Sequence, residues 1–125
     1  MIMEPLIIKS TSQTPDITMN PEEGIFSIEG RSHPENVMIF YQPLFDWLAE
    51  YAKSPNEETK LIVKLDYHNT ATTKVLLNIM NALSKIQDQS KIQIQWFYHG
   101  DEEESLEEGE DISDATNLPF EFISY

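Results

Sequence analysis

The stretch LDYHNTATTKVLLNIM, residues 65 to 80, opens as a strand and closes as a helix. Upstream of it, Leu61, Val63, Leu65 and Tyr67 alternate with Lys60, Lys64 and Asp66. That period of two predicts a strand over residues 59–67, with one face buried. Downstream, Leu76, Ile79, Met80, Leu83 and Ile86 or Gln87 recur at helical spacing, which predicts a helix over about 71–88. The change of period falls on Asn69, Thr70, Thr72 and Thr73. A strand that runs directly into a helix is the repeating unit of an α/β sheet.

The same alternation of periods extends in both directions. DITMN (16–20) and IFSIEG (25–30) flank Asn20-Pro21-Glu22-Glu23-Gly24, a hairpin signature, and residues 4–9 fit an edge strand. Val37, Phe40, Tyr41, Leu44, Leu48 and Tyr51 form one helical stripe. Ser32 and Glu35 have capping-box spacing before it, and Pro34 suits a first turn. KIQIQWFY (91–98) alternates again, the acidic segment after it has room for a short helix, and LPFEFISY (118–125) reads as a last strand. The expected fold is one α/β domain over residues 1–125, a two-layer mixed sheet with its helices on one face. Strands joined through helices are parallel with right-handed crossovers. Three junctions then gather at the carboxyl ends of the parallel strands: 31–36, 67–73 and 98–104. In such sheets ligands and partners meet that edge.

Charge narrows the classes of function. The chain has 125 residues, with 22 acids against 8 bases, for a formal net charge of -14. Nucleic acid and anionic membrane surfaces both demand Lys and Arg, so neither is an expected partner. Ten acids follow Lys91 with no base among them, eight of them in DEEESLEEGED (101–111). There is no cysteine, so no disulfide and no thiolate metal site. No signal peptide or membrane-spanning run is evident, and a cytoplasmic location is expected.

No catalytic set stands out. There is no G-x-S-x-G elbow, no phosphate-cradling glycine loop and no calcium-loop pattern, and no cofactor is expected. His33, His68 and His99 fall near one edge in the expected topology, so a three-histidine metal enzyme is one alternative. No two of them have close ligand spacing. At the central junction Asn69 or Thr70 caps the helix in the plain reading. The same place, with unpaired N–H groups and the positive end of a helix dipole, also welcomes a phosphate.

Four stretches together resemble the SiaC family of bacterial regulatory phosphoproteins: HPENVMIFYQPLFDWLAEY (33–51), LDYHNT (65–70), IQWFYHGDEEESLEEGEDIS (94–113) and LPF (118–120). The resemblance implies that Thr70, after Asn69, is the phosphorylated residue, and that the fold and mode of control are similar to those of STAS-type partner switches. It further implies a serine/threonine kinase, a metal-dependent phosphatase and a diguanylate cyclase that the unmodified protein activates, raising cyclic di-GMP in biofilm control. Partner contacts are then expected at Tyr67, His68, Asn69, Thr70, Thr72, Thr73, Glu102, Glu103 and Glu104. Where the family often has serines, this chain has Ala71 and Thr72. Where it has an aromatic or leucine before the asparagine, this chain has His68. A protein of the anti-sigma-factor-antagonist kind, binding a different regulator, is the alternative within the same class.

Overall fold

Alternating apolar residues become six strands, and helical stripes become three helices, in a computed structural model that describes residues 3–125. The order is β1 (Leu6–Ile8), β2 (Asp16–Asn20), β3 (Ile25–Ser32), α1 (Val37–Tyr51), β4 (Glu58–His68), α2 (Thr70–Ser84), β5 (Lys91–Tyr98), α3 (Glu103–Thr116) and β6 (Phe120–Ser124). The sheet keeps chain order, β1-β2-β3-β4-β5-β6. The first two pairings are antiparallel and the last three parallel. The three parallel connections step the same way, and α1 packs on α2 and α2 on α3, so the helices share one face, as the right-handed rule for such crossovers requires. This is the expected mixed sheet with helices on one side. The acidic segment differs in scale: it holds a helix of 14 residues, as long as its neighbours to within one.

The core lies between sheet and helices. Ile17, Met19, Phe26, Ile28, Leu61, Val63, Ile92 and Ile94 supply its floor, and Tyr41, Leu44, Leu76, Ile79, Met80 and Leu83 its roof. Trp47 joins them from α1. Its ring stacks on Tyr51 at 5.0 Å, and its indole N–H donates to the Glu4 carbonyl at 2.9 Å, tying α1 to the segment before β1. Two buried hydroxyl chains mark the ends of α1. Tyr51 meets Thr59 at 2.7 Å and Thr59 meets Ser90 at 2.7 Å at one end. Tyr41 and Ser32 begin the other, at the functional edge.

One irregularity changes what the edge displays. Gly30 of β3 pairs with Leu65 of β4, but Arg31 pairs with Tyr67, so Asp66 has no partner on β3. Gly30 has φ of +122°, a conformation that side-chain-bearing residues rarely take, and the shift falls beside it. A one-residue step inverts every side chain beyond it. Strict alternation had put Tyr67 on the buried face. It is instead 47% exposed, and His68 turns inward with 9% of its side chain accessible.

α3 approaches the sheet through a missing side chain. Gly109 is buried, and a Cβ there would lie 2.9 Å from atoms of Trp96 and Phe122. Such distances are too short for carbon, and the neighbours are rings, Trp96 in the core and Phe122 packed against it. In an open helix Gly→Ala stabilises by about 1 kcal/mol. Here Gly109→Ala is expected to destabilise the protein by roughly 1 to 3 kcal/mol through overpacking, read as a lower midpoint in urea unfolding. A midpoint equal to or above that of the unaltered protein would contradict the close approach.

Candidate functional site

The first junction, β3 to α1, is capped by Asn36, whose Oδ1 accepts from the Ile39 N–H at 3.1 Å. The expected Ser32–Glu35 capping box does not form. Ser32 ends β3 fully buried, and its hydroxyl lies 2.7 Å from the Tyr41 hydroxyl and 2.9 Å from that of Thr72. Thr72 in turn donates to the Ser32 carbonyl at 3.1 Å. One assignment of protons satisfies all three: Tyr41 donates to Ser32, Ser32 to Thr72, and Thr72 to the carbonyl. Burial pushes the Tyr41 hydroxyl up to about 12, against a smaller downward pull from Ser32, so it keeps the proton it donates. Thr72 is therefore an interior residue, fully buried, and the expectation that it contacts a partner is corrected. Its place at the third position of α2 turns it back onto β3.

The second junction is a single residue. Asn69 donates its N–H to the Ser32 carbonyl at 3.2 Å, and its Oδ1 accepts from the Thr72 N–H at 2.9 Å. Asn69, and not Thr70, is thus the helix cap. Its carbonyl accepts from the Thr73 N–H at 3.2 Å. Thr70, the first residue of α2, is exposed. The N–H groups of Thr70 and Ala71 have no hydrogen-bond partner among the described residues. An exposed hydroxyl, two free donors and the positive end of a 15-residue helix dipole coincide there.

The third junction joins the second through Glu108 of α3. One carboxylate oxygen accepts from His68 Nε2 at 2.6 Å and from the Thr73 hydroxyl at 3.2 Å. His68 also stands edge-on to Trp96, at 6.3 Å between centroids. Glu102 sits at the N-cap position of α3 without making a side-chain cap, and Glu103 and Glu104 fill the first turn, all exposed. Acids at that end of a helix are favoured by its dipole. A cleft of about 280 Å³ runs between the end of β4 (Asp66, Tyr67, His68) and the start of α3 (Glu102, Glu104, Glu108).

Of the residues expected at a partner surface, Tyr67, Thr70, Glu102, Glu103 and Glu104 are exposed, Asn69 and Thr73 are half-buried, and His68 faces inward. The histidines are dispersed. His33 packs edge-on against Tyr67 at 5.5 Å, His68 bonds Glu108, and His99 lies 3.5 Å from Asp66. No group of three or more His, Cys, Asp or Glu suited to a metal ion occurs among the described residues. Glu108 was not singled out in the sequence, where it is one acid among eight. Arg31, 5.2 Å over the Tyr67 ring, was equally silent. Among the described residues, no helix is long and apolar enough to cross a membrane.

The sequence matches the model for SiaC family regulatory phosphoproteins over residues 8–125. The chain belongs to the SiaC family. An uncharacterized protein of Pseudomonas aeruginosa strain UCBPP-PA14 is 26% identical over 119 residues, covering 94% of each chain. Crystal structures of SiaC from Pseudomonas aeruginosa share the fold. The apo form has a TM-score of 0.85 at 24% identity, covering 98% of this chain and 100% of that one. A third structure is of the diguanylate cyclase SiaD in complex with its activator SiaC, also from Pseudomonas aeruginosa. It has a TM-score of 0.86 at 24% identity, covering 96% and 99% of the two chains.

The capping geometry separates two neighbouring residues. Asn69→Ala is expected to cost about 1 kcal/mol of unfolding free energy, whereas Thr70→Ala should stay within about 0.5 kcal/mol of the unaltered protein. Denaturant titration of both variants checks this. Equal losses at the two positions would assign the cap wrongly.

Proposed function

We propose that this SiaC family member is a phosphorylation-controlled partner switch without an activity of its own. In this reading the unmodified form binds and activates a diguanylate cyclase and so raises cyclic di-GMP. A serine/threonine kinase phosphorylates Thr70, and a metal-dependent phosphatase restores it. The observation that carries the reading is the state of Thr70: an exposed hydroxyl on the first residue of a capped helix, beside two N–H groups unpaired among the described residues. A phosphate there is compatible with the fold, because dipole and donors favour negative charge. The complex of SiaC with SiaD supports a cyclase as the partner.

The cost of phosphorylation then falls on the partner. The phosphate adds about -1.5 to -2 charges at neutral pH on an edge that already carries Glu102, Glu103 and Glu104. A surface that accepts the small hydroxyl meets bulk and a charge it is not built to match, which lowers affinity. At the first turn of α1, Met38 and Ile39 stand 51% and 73% exposed, giving the same edge an apolar flank for the unmodified partner contact.

The test is direct. The protein is incubated with its kinase, the phosphosite mapped by mass spectrometry, and each variant titrated against the cyclase while cyclic di-GMP production is followed. Phosphate is expected on Thr70. Thr70→Asp should fold normally and lose binding and activation, and Thr70→Ala should retain both and resist the kinase. Phosphate only on Thr73 or elsewhere, or a Thr70→Asp protein that binds as tightly as the original, sinks the reading.

The acidic turn has its own expected outcome. Replacing Glu102, Glu103 and Glu104 together by glutamine should lower thermal stability only slightly, since exposed charges contribute about 0 to 1 kcal/mol each. Cyclase affinity should change and lose part of its dependence on salt. An unaltered salt dependence, measured by titration at two ionic strengths, would remove these residues from the interface.

A further inference from the structure

The register step in β4 decides which of two aromatic side chains the edge presents, yet the backbone alone does not choose it. In step, Arg31 would pair with Asp66 and Ser32 with Tyr67. Tyr67 would then enter the helix-covered face and His68 would turn out. That arrangement has an attraction of its own, because Arg31 and Asp66 would be opposite charges on neighbouring strands. Gly30 permits the step but is equally able to do without it. Asp66 faces the uncovered side of the sheet in either register, so the choice turns on whether its carboxylate is drawn toward Arg31 on β3 or toward partners beyond β5.

Those partners are on the uncovered face of the sheet. The Tyr125 hydroxyl donates to Asp66 Oδ1 at 2.8 Å, and His99 Nε2 lies 3.5 Å from the same oxygen. The Tyr125 ring packs against His99, tilted by 37° with centroids 4.3 Å apart, and the Lys64 ammonium sits 4.7 Å over the Tyr125 ring. The Tyr125 backbone is fixed as well. Its N–H donates to the Tyr98 carbonyl at 3.0 Å, and its carbonyl accepts from the Gly100 N–H at 3.2 Å. Burial, followed by the Asp66 carboxylate, pushes the Tyr125 hydroxyl upward, so it holds the proton it donates. The ends of β4 and β6 and the loop from β5 into α3 therefore meet at one carboxylate.

We propose that Asp66 is a positioning residue for the partner-facing edge. Its clasp with Tyr125 and His99 holds β4 one residue out of step with β3, keeping Tyr67 outward under Arg31 and His68 inward on Glu108. The proposal deepens the partner-switch reading and rests on it for the meaning of the edge, but the clasp itself is testable on the isolated protein. Asp66→Ala removes the acceptor, Tyr125→Phe removes only one donor, and Asp66→Asn keeps an acceptor for Tyr125 and serves as the conservative rescue.

The experiment combines side-chain NMR of labelled tyrosine and histidine in the isolated protein with titration against the diguanylate cyclase. In Asp66→Ala and Tyr125→Phe the signals of Tyr67 and His68 should move or double, with those of Tyr41 and Tyr51 in place. Cyclase affinity should fall about tenfold, the scale of a 1.4 kcal/mol change. Asp66→Asn should stay close to the original in both readouts. Unmoved Tyr67 and His68 signals in Tyr125→Phe and Asp66→Ala overturn the proposal, whatever the cyclase does. Signals that move while cyclase affinity stays unchanged overturn the positioning role. An unaltered protein that binds no cyclase counts against the partner-switch reading, and moved Tyr67 and His68 signals would still establish the clasp.

Discussion

Handedness organises this molecule. Each connection from β3 to β4, from β4 to β5 and from β5 to β6 is a parallel crossover, and such crossovers turn to the right. Because the strands also keep chain order, the three turns add in one direction. The helices must lie side by side on one face, and the strand ends that feed them must share one edge. Everything of functional interest follows from that placement. Ser32, His68 and Tyr98 end neighbouring strands, and so Asn36, Asn69 and Glu102 begin neighbouring helices. A change in the order of any one strand would scatter them.

The elements were legible in the sequence because each is long and keeps a clean period. β5 begins and ends where its alternation does, and the stripes of α1 and α2 name most of the roof of the core. The mixed sheet and its one-sided helices followed from the order of those elements. Charge density, by contrast, concealed α3 as a full helix, since its buried face is only Gly109, Ile112 and Thr116. The signal was present as an i, i+3, i+7 spacing, but a glycine and a threonine do not read as an apolar stripe.

The site was legible as a place and less so in its details. Asn69 and Thr70 were rightly at the start of a helix, and the division of labour between them depends on geometry: one accepts an N–H, and the other faces solvent. Thr72 looks in sequence like one more surface hydroxyl. Yet it stands three, four and seven residues before Val75, Leu76 and Ile79, on the buried stripe of α2, and Ser32 from 40 residues away satisfies its hydroxyl there. Tyr67 and His68 exchange faces through a single unpaired residue, Asp66, and the alternation of Leu61, Val63, Leu65 and Tyr67 gives no sign of that step. Spacing also misassigned the first cap, because Ser32 had two possible uses and a buried hydroxyl network took it.

The close seating of α3 ties two distant positions into one inheritance. The space that Gly109 leaves is the space that the Trp96 ring fills. Neither residue can drift alone: a side chain at 109 has nowhere to go while the indole remains, and a smaller ring at 96 opens a void beneath a helix that glycine already weakens. Change at this contact has to pass through a less stable intermediate or occur at both positions together. Epistasis of that kind would keep the pair fixed together, so that the whole acidic face of α3 is carried on one contact that cannot be renegotiated a residue at a time.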